Sequence, residues 1–106
     1  MKEKLALLDS GGELSVRLTP EIDHHICVGI REKIDSALFE VKPSLLILDF
    51  SEVRFMDSSG LGLILGRVER ASALGAQVEV RGLSDSLYKL IRLSGIERVK
   101  NLTVKK

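Results

Sequence analysis

Residues 45–67 read LLILDFSEVRFMDSSGLGLILGR, and this stretch decides the fold. Leu45-Leu46-Ile47-Leu48 is an unbroken apolar run, which reads as a buried strand. A short loop leads to Asp57-Ser58-Ser59-Gly60, and an apolar-periodic segment then reads as a helix over residues 58–73. A serine thus stands at a helix N-terminus, beside an acid and on a glycine-relieved turn. Free backbone N–H groups and the positive end of the helix dipole favour an anion there. A hydroxyl at such a tip is also within reach of a kinase. The same residue types are good N-caps, so plain capping of the helix stands beside the phosphate reading. The capping box is incomplete, because Leu61 stands where Glu or Gln would complete it. Two serines beside a glycine are more than one cap needs.

Within that helix, Leu61, Ile64, Leu65, Val68 and Ala71 form the expected core stripe. Gly62 and Gly66 lie one turn apart on the same side. An interior glycine costs about 1 kcal/mol relative to alanine, so the pair points to close approach of another backbone, within the sheet packing or from a partner. Leu63 falls off the stripe. It reads either as an exposed apolar contact or as a residue buried against a neighbouring loop.

Working toward the N-terminus, Pro43 launches the central strand, residues 45–49, whose continuous apolar run implies burial on both faces. Before it, Ile22, Ile26, Ile30, Ile34 and Leu38 recur four apart, giving an apolar helix face; His24, Arg31, Glu32 and Asp35 occupy the polar face. Thr19 reads as the cap of this helix and Pro20 as its first residue. Residues 13–18 alternate, with Leu14, Val16 and Leu18 on one side, and read as a half-buried strand. Residues 2–8 read as another strand, joined to it through Asp9-Ser10-Gly11-Gly12 as a hairpin.

Toward the C-terminus, Gly75 reads as a helix stop and residues 77–81 as a short strand with Val78 and Val80 inward. Residues 84–93 read as a third helix, with Leu87, Leu90 and Ile91 inward and Gly95 as terminator. A last strand is expected within residues 99–104. The order β-β-α-β-α-β-α, with that final β as its extension, implies an α/β fold with parallel neighbours. No linker or low-complexity segment divides residues 1–106, a length that suits one domain.

Composition excludes several function classes. Aromatics make up 4% of the chain and tryptophan is absent, which disfavours carbohydrate or base-stacking surfaces. The net charge is +1, without the basic stripe of a nucleic-acid binder. The three lysines of residues 100–106 read as a solvated end. The single cysteine, Cys27, precludes an intrachain disulfide and fits a reducing cytoplasm. Neither a signal peptide nor a run of roughly 20 apolar residues is present. The expectation is a cytoplasmic protein without membrane or nucleic-acid contact.

Catalytic motifs are missing as well. Ser58 lacks the Gly-x-Ser-x-Gly elbow, and His24 and His25 are the only histidines available as a base. Gly60-Leu61-Gly62 is not followed by the Gly-Lys-Ser/Thr of a P-loop. Asp23-His24-His25 with Cys27 has the wrong spacing for a shared metal ion, since adjacent helical residues diverge by about 100°. No catalytic residue, metal or cofactor is expected, and the chain reads as a non-enzyme.

These residues carry a family resemblance. Leu46-Ile47-Leu48-Asp49-Phe50-Ser51, then Phe55-Met56-Asp57-Ser58-Ser59-Gly60-Leu61-Gly62 and Leu65-Gly66-Arg67, resemble a STAS domain, and more narrowly the bacterial anti-sigma factor antagonists. Arg17-Leu18-Thr19, Glu21, Asp23-His24-His25 and Leu93-Ser94-Gly95 extend the likeness over nearly the whole chain. It departs at Pro20, where the family usually has glycine; this bears on how Asp23 is presented.

The resemblance implies a single STAS domain over residues 1–106, a small mixed sheet of four to five strands packed by helices. It implies an antagonist that binds a serine-kinase anti-sigma factor and so frees the sigma factor. Phosphorylation on Ser58 would inactivate it and a PP2C-type, metal-dependent phosphatase restore it, with sporulation-specific transcription under control. The partner surface implied or read beside it comprises Asp23, Asp57, Ser58, Ser59, Gly60, Leu61, Gly62 and Leu63. A monomer is expected when free. Two other readings stay open: a general-stress antagonist of the same class, and a STAS scaffold module that binds an anion or nucleotide at the same helix tip.

Overall fold

The computed structural model describes residues 6–106. Of the first strand expected over residues 2–8, residues 2–5 lie outside the described part.

Strand β1, Ala6–Ser10, and β2, Glu13–Arg17, form the expected antiparallel hairpin with Ser10 opposite Glu13. Its two-residue turn is Gly11-Gly12, with φ of 59° and 84°. Such a turn needs positive φ at both central positions, and only glycine adopts it without strain. A two-residue strand β3, Glu21–Ile22, precedes helix α1, His24–Val41. Strand β4, Leu45–Asp49, and two-residue β5, Phe55–Met56, lead to helix α2, Ser59–Ala73. Strand β6, Gln77–Arg81, helix α3, Asp85–Ser94, a 3-10 turn at Ile96–Arg98 and strand β7, Leu102–Val104, complete the chain.

Five strands form one mixed sheet in the order β1-β2-β4-β6-β7, parallel except for β1. The rows Leu14/Leu46/Val78 and Val16/Leu48/Val80 run across its centre in register. They join the buried residues of all three helices in one core cluster, so the helices share one face. This corrects the expectation of two covered faces for β4. On the other face, Ile47 is only 4% exposed yet stands apart from the core cluster, between Ser15 and Glu79. Ionic contacts flank it: Arg17 with Asp49 at 3.5 Å, Arg81 with Glu79 at 2.6 Å.

The start of α1 differs from the expectation as well. Thr19 and Pro20 do not open it; Asp23 does, its Oδ1 accepting from the Ile26 N–H at 2.9 Å. Pro20 instead lies just ahead of β3, and its carbonyl accepts from the backbone of Arg54 and Phe55. Pairing of β3 with β5 competes with helix here and wins, because the N–H of Asp57 needs the carbonyl of Ile22, at 3.0 Å. Pro20 precedes the strand, where its missing N–H costs nothing.

The core stripe of α2 is also shifted. Its buried residues are Gly60, Leu63, Ile64, Arg67, Val68 and Ala71, with Leu61 and Leu65 half-buried. The helix packs on α1, and Arg67, 3% exposed, pairs with Asp35 of α1 at 2.9 Å. Close packing explains Gly60 rather than Gly62 or Gly66: a Cβ at Gly60 would collide with the Met56 side chain, whereas at the other two it meets open space.

Candidate functional site

The site sits where two strand-to-helix turns run side by side. Strands β3 and β5 pair in parallel, Glu21 opposite Phe55 and Ile22 opposite Met56. Each strand ends in an aspartate that caps the helix after it. Asp23 caps α1 through the Ile26 N–H, and Asp57 Oδ1 accepts from the Ser59 N–H at 2.9 Å at the head of α2.

The Asp57 carboxylate is held by two donors of Ser59. The Ser59 hydroxyl donates to it, and the Ser59 backbone N–H is the second donor. These bonds lower its pKa below the usual carboxylate range, the Ser59 hydroxyl foremost, with smaller contributions from the His24 backbone N–H and the His24 charge. Ser59 in turn contacts α1: the Cys27 thiol donates to its hydroxyl at 3.6 Å and lies 3.7 Å from its carbonyl oxygen.

Ser58 differs from its neighbours. It occupies the N-cap position, yet its side chain makes no capping bond, and it is exposed. The residues of the Asp57-Ser58-Ser59-Gly60 tetrapeptide thus separate by function. Asp57 caps, Ser59 holds its carboxylate, Gly60 makes room for Met56, and the Ser58 hydroxyl is left free at the positive end of α2.

Of the partner-surface residues expected from the sequence, Ser58 and Gly62 are exposed, and Asp23, Asp57, Ser59 and Leu61 half-buried. Leu63 and Gly60 differ from the others in burial. Leu63 is 4% exposed and belongs to the core, and Gly60 is buried against Met56. Two apolar side chains near the tip went unread: Phe55, 54% exposed on β5, and Val28, 42% exposed one turn beyond His24 on α1. Val28 had a signal, since it falls outside the four-residue row from Ile22 to Leu38; Phe55 had none.

Among the described residues, no group of three or more His, Cys, Asp or Glu side chains could hold a metal ion. No helix there is long and apolar enough to cross a membrane.

Comparison with known proteins gives the family and supports the fold. A family profile described as the STAS domain matches residues 5–105. The anti-sigma F factor antagonist of Paenibacillus polymyxa is 34% identical over 83% of this chain and 75% of its own. That of Lysinibacillus sphaericus is 36% identical over 76% of this chain and 69% of its own. The solved structure of the Bacillus cell fate determinant SpoIIAA in its phosphorylated form superposes with a TM-score of 0.72 at 30% identity. It covers 99% of this chain and 92% of that one.

Proposed function

From the premise that the chain belongs to the STAS domain family, we propose that it is an anti-sigma factor antagonist switched by phosphorylation of Ser58. The similarity to anti-sigma F factor antagonists supports the class, a regulator rather than an enzyme. One observation carries the switch: Ser58 is the exposed hydroxyl at the head of α2 that the fold leaves uncommitted.

In this reading the unmodified tip binds a serine-kinase anti-sigma factor, which thereby gives up its sigma factor. Asp23, Asp57, Ser58, Ser59, Leu61 and Gly62 contribute the contact, with exposed Phe55 and Val28 beside them. Phosphorylation adds about −1.5 to −2 charges and three acceptor oxygens. The head of α2 accommodates them locally, so the fold persists. The cost falls on the interface, where a dianion beside the Asp57 carboxylate must be desolvated. Each 1.4 kcal/mol is tenfold in affinity, so a few kcal/mol switch the complex off. A PP2C-type phosphatase resets the protein. The action is cytoplasmic, and the likeness to anti-sigma F antagonists supports sporulation-specific transcription as the target.

Binding to the cognate anti-sigma factor tests this. Ser58→Asp is expected to weaken binding at least tenfold while circular dichroism matches the parent protein. Undiminished binding, or loss of the fold, contradicts the reading. Tight binding of an anion or nucleotide with no kinase partner would favour the scaffold-module alternative, and capture of a stress sigma factor's kinase the general-stress one.

A further inference from the structure

The two strand-to-helix turns of the tip are tied into one closed ring of bonds, and Cys27 supplies the link between the helices. We propose that Cys27 is a positioning residue for phosphate transfer: acting through Ser59, its thiol holds the turn in which Ser58 is presented as the phosphoacceptor. This inference rests on the reading of Ser58 as the phosphorylated residue.

The ring closes bond by bond. The Asp57 N–H donates to the Ile22 carbonyl at 3.0 Å. Asp23 follows Ile22 in the chain, and its carbonyl accepts from the Cys27 N–H at 3.0 Å in the first turn of α1. The Cys27 thiol donates to the Ser59 hydroxyl at 3.6 Å. Ser59 returns to Asp57 through both its hydroxyl and its N–H. Ser58 stands between the last two members of the ring, and its carbonyl accepts from the Leu61 N–H at 3.1 Å. Its backbone is held on both sides while its own side chain makes no capping bond. Such a hold matters for a hydroxyl that must meet a phosphoryl group, since misplacing a reacting atom by about 1 Å can cost about a hundredfold in rate.

Two polar side-chain contacts join α1 to α2 among the described residues: Cys27 with Ser59, and Asp35 with Arg67. The second lies about two turns further along both helices. The Asp35–Arg67 pair fixes how the helices lie along each other, and the thiol carries that register to the tip. The direction of the bond gives the thiol its effect. The Ser59 hydroxyl has one proton, committed to Asp57, and its lone pairs are open to a donor. A donor arriving at that oxygen polarises the O–H and strengthens its bond to the carboxylate. The thiol is 7% exposed and forms no disulfide, so this contact is its only polar role among the described residues.

The test compares Cys27→Ala, which removes the donor, with Cys27→Ser, which keeps one, each in the whole chain. Amide exchange with water, read by NMR, reports the turn without a kinase. In Cys27→Ala the Ser59 N–H is expected to exchange about threefold or more faster, the scale of one weak hydrogen bond, while Ile64 and Val68 in the middle of α2 stay as in the parent protein. Cys27→Ser is expected to restore the Ser59 rate. In phosphate transfer from ATP by the cognate anti-sigma kinase, Cys27→Ala is expected to lower kcat by about threefold or more with KM unchanged, and Cys27→Ser to recover it. In a Ser59→Ala background, Cys27→Ala is expected to change kcat no further, because the link it acts through is gone. An unmoved Ser59 N–H, a uniform rise of exchange along α2, no recovery in Cys27→Ser, or a full further loss in the Ser59→Ala background would overturn the proposal. No transfer to Ser58 in the parent protein, with the exchange pattern intact, would sink the phosphorylation reading and leave the hold of Cys27 on the turn standing.

Discussion

Asp57, Ser58 and Ser59 are adjacent, polar and of nearly equal capping quality, yet each has a separate task. Asp57 is bonded by the Ser59 hydroxyl and N–H, Ser59 is braced on Cys27, and Ser58 is free. Ser59→Ala removes the strongest donor to Asp57. NMR titration is expected to show the Asp57 carboxyl returning toward its ordinary value. Phosphorylation at Ser58 is expected to persist in that variant. The sign of the pH dependence follows from the lowered pKa. The contribution of Asp57 is complete above the unfolded-state value of about 3.9 and disappears as pH falls through the lower folded-state value. The sequence resolves this trio only in part. Residue types place a cap and an acceptor at 57–59, but which oxygen bonds which donor depends on α1 lying alongside, information that no local pattern carries.

Helix α1 displays the four-residue row that its sequence implies, with Ile30, Ile34 and Leu38 buried. Ile22 extends that row in the sequence but belongs to β3, because strand pairing with β5 satisfies backbone groups that the helix would leave open. In α2 the residues from Leu61 to Leu65 are all leucine, isoleucine or glycine, so hydrophobic periodicity cannot choose a face. The choice comes from tertiary contacts: Gly60 against Met56, and Arg67 against Asp35. A buried arginine inside an apparently apolar face was illegible from the sequence, since Arg67 and Asp35 each look like surface charge. Removing one partner of such a pair strands the other. Asp35→Ala is expected to cost about 3 kcal/mol in denaturant unfolding. The double change Asp35→Leu with Arg67→Met is expected to recover most of that loss, because apolar groups of similar volume need no counter-ion.

Across the whole molecule, the helices cover one sheet face, and the paired turns β3–α1 and β5–α2 project two helix N-termini at one end. The strand–helix alternation was legible, because β2, β4 and β6 carry alternating or continuous apolar runs bounded by turn residues; the sheet was expected with four to five strands and has five. The open face was not, because the run Leu45 to Leu48 looks alike whether Ile47 is screened by Ser15 and Glu79 or by a helix. Ser58 itself is an exposed position at the tip, outside the core cluster. A charge at Ser58 is therefore expected to leave the thermal midpoint of the protein within about 2 °C, since surface changes usually stay within about 0.5 kcal/mol. The central claim is that Ser58 is the phosphoacceptor, and tandem mass spectrometry after incubation with the cognate serine-kinase anti-sigma factor and ATP tests it most directly. Trypsin releases residues 55–67, in which Ser58 and Ser59 are the only hydroxyl side chains. Phosphate on Ser58 alone is the predicted result; phosphate on Ser59, or on neither, would contradict it.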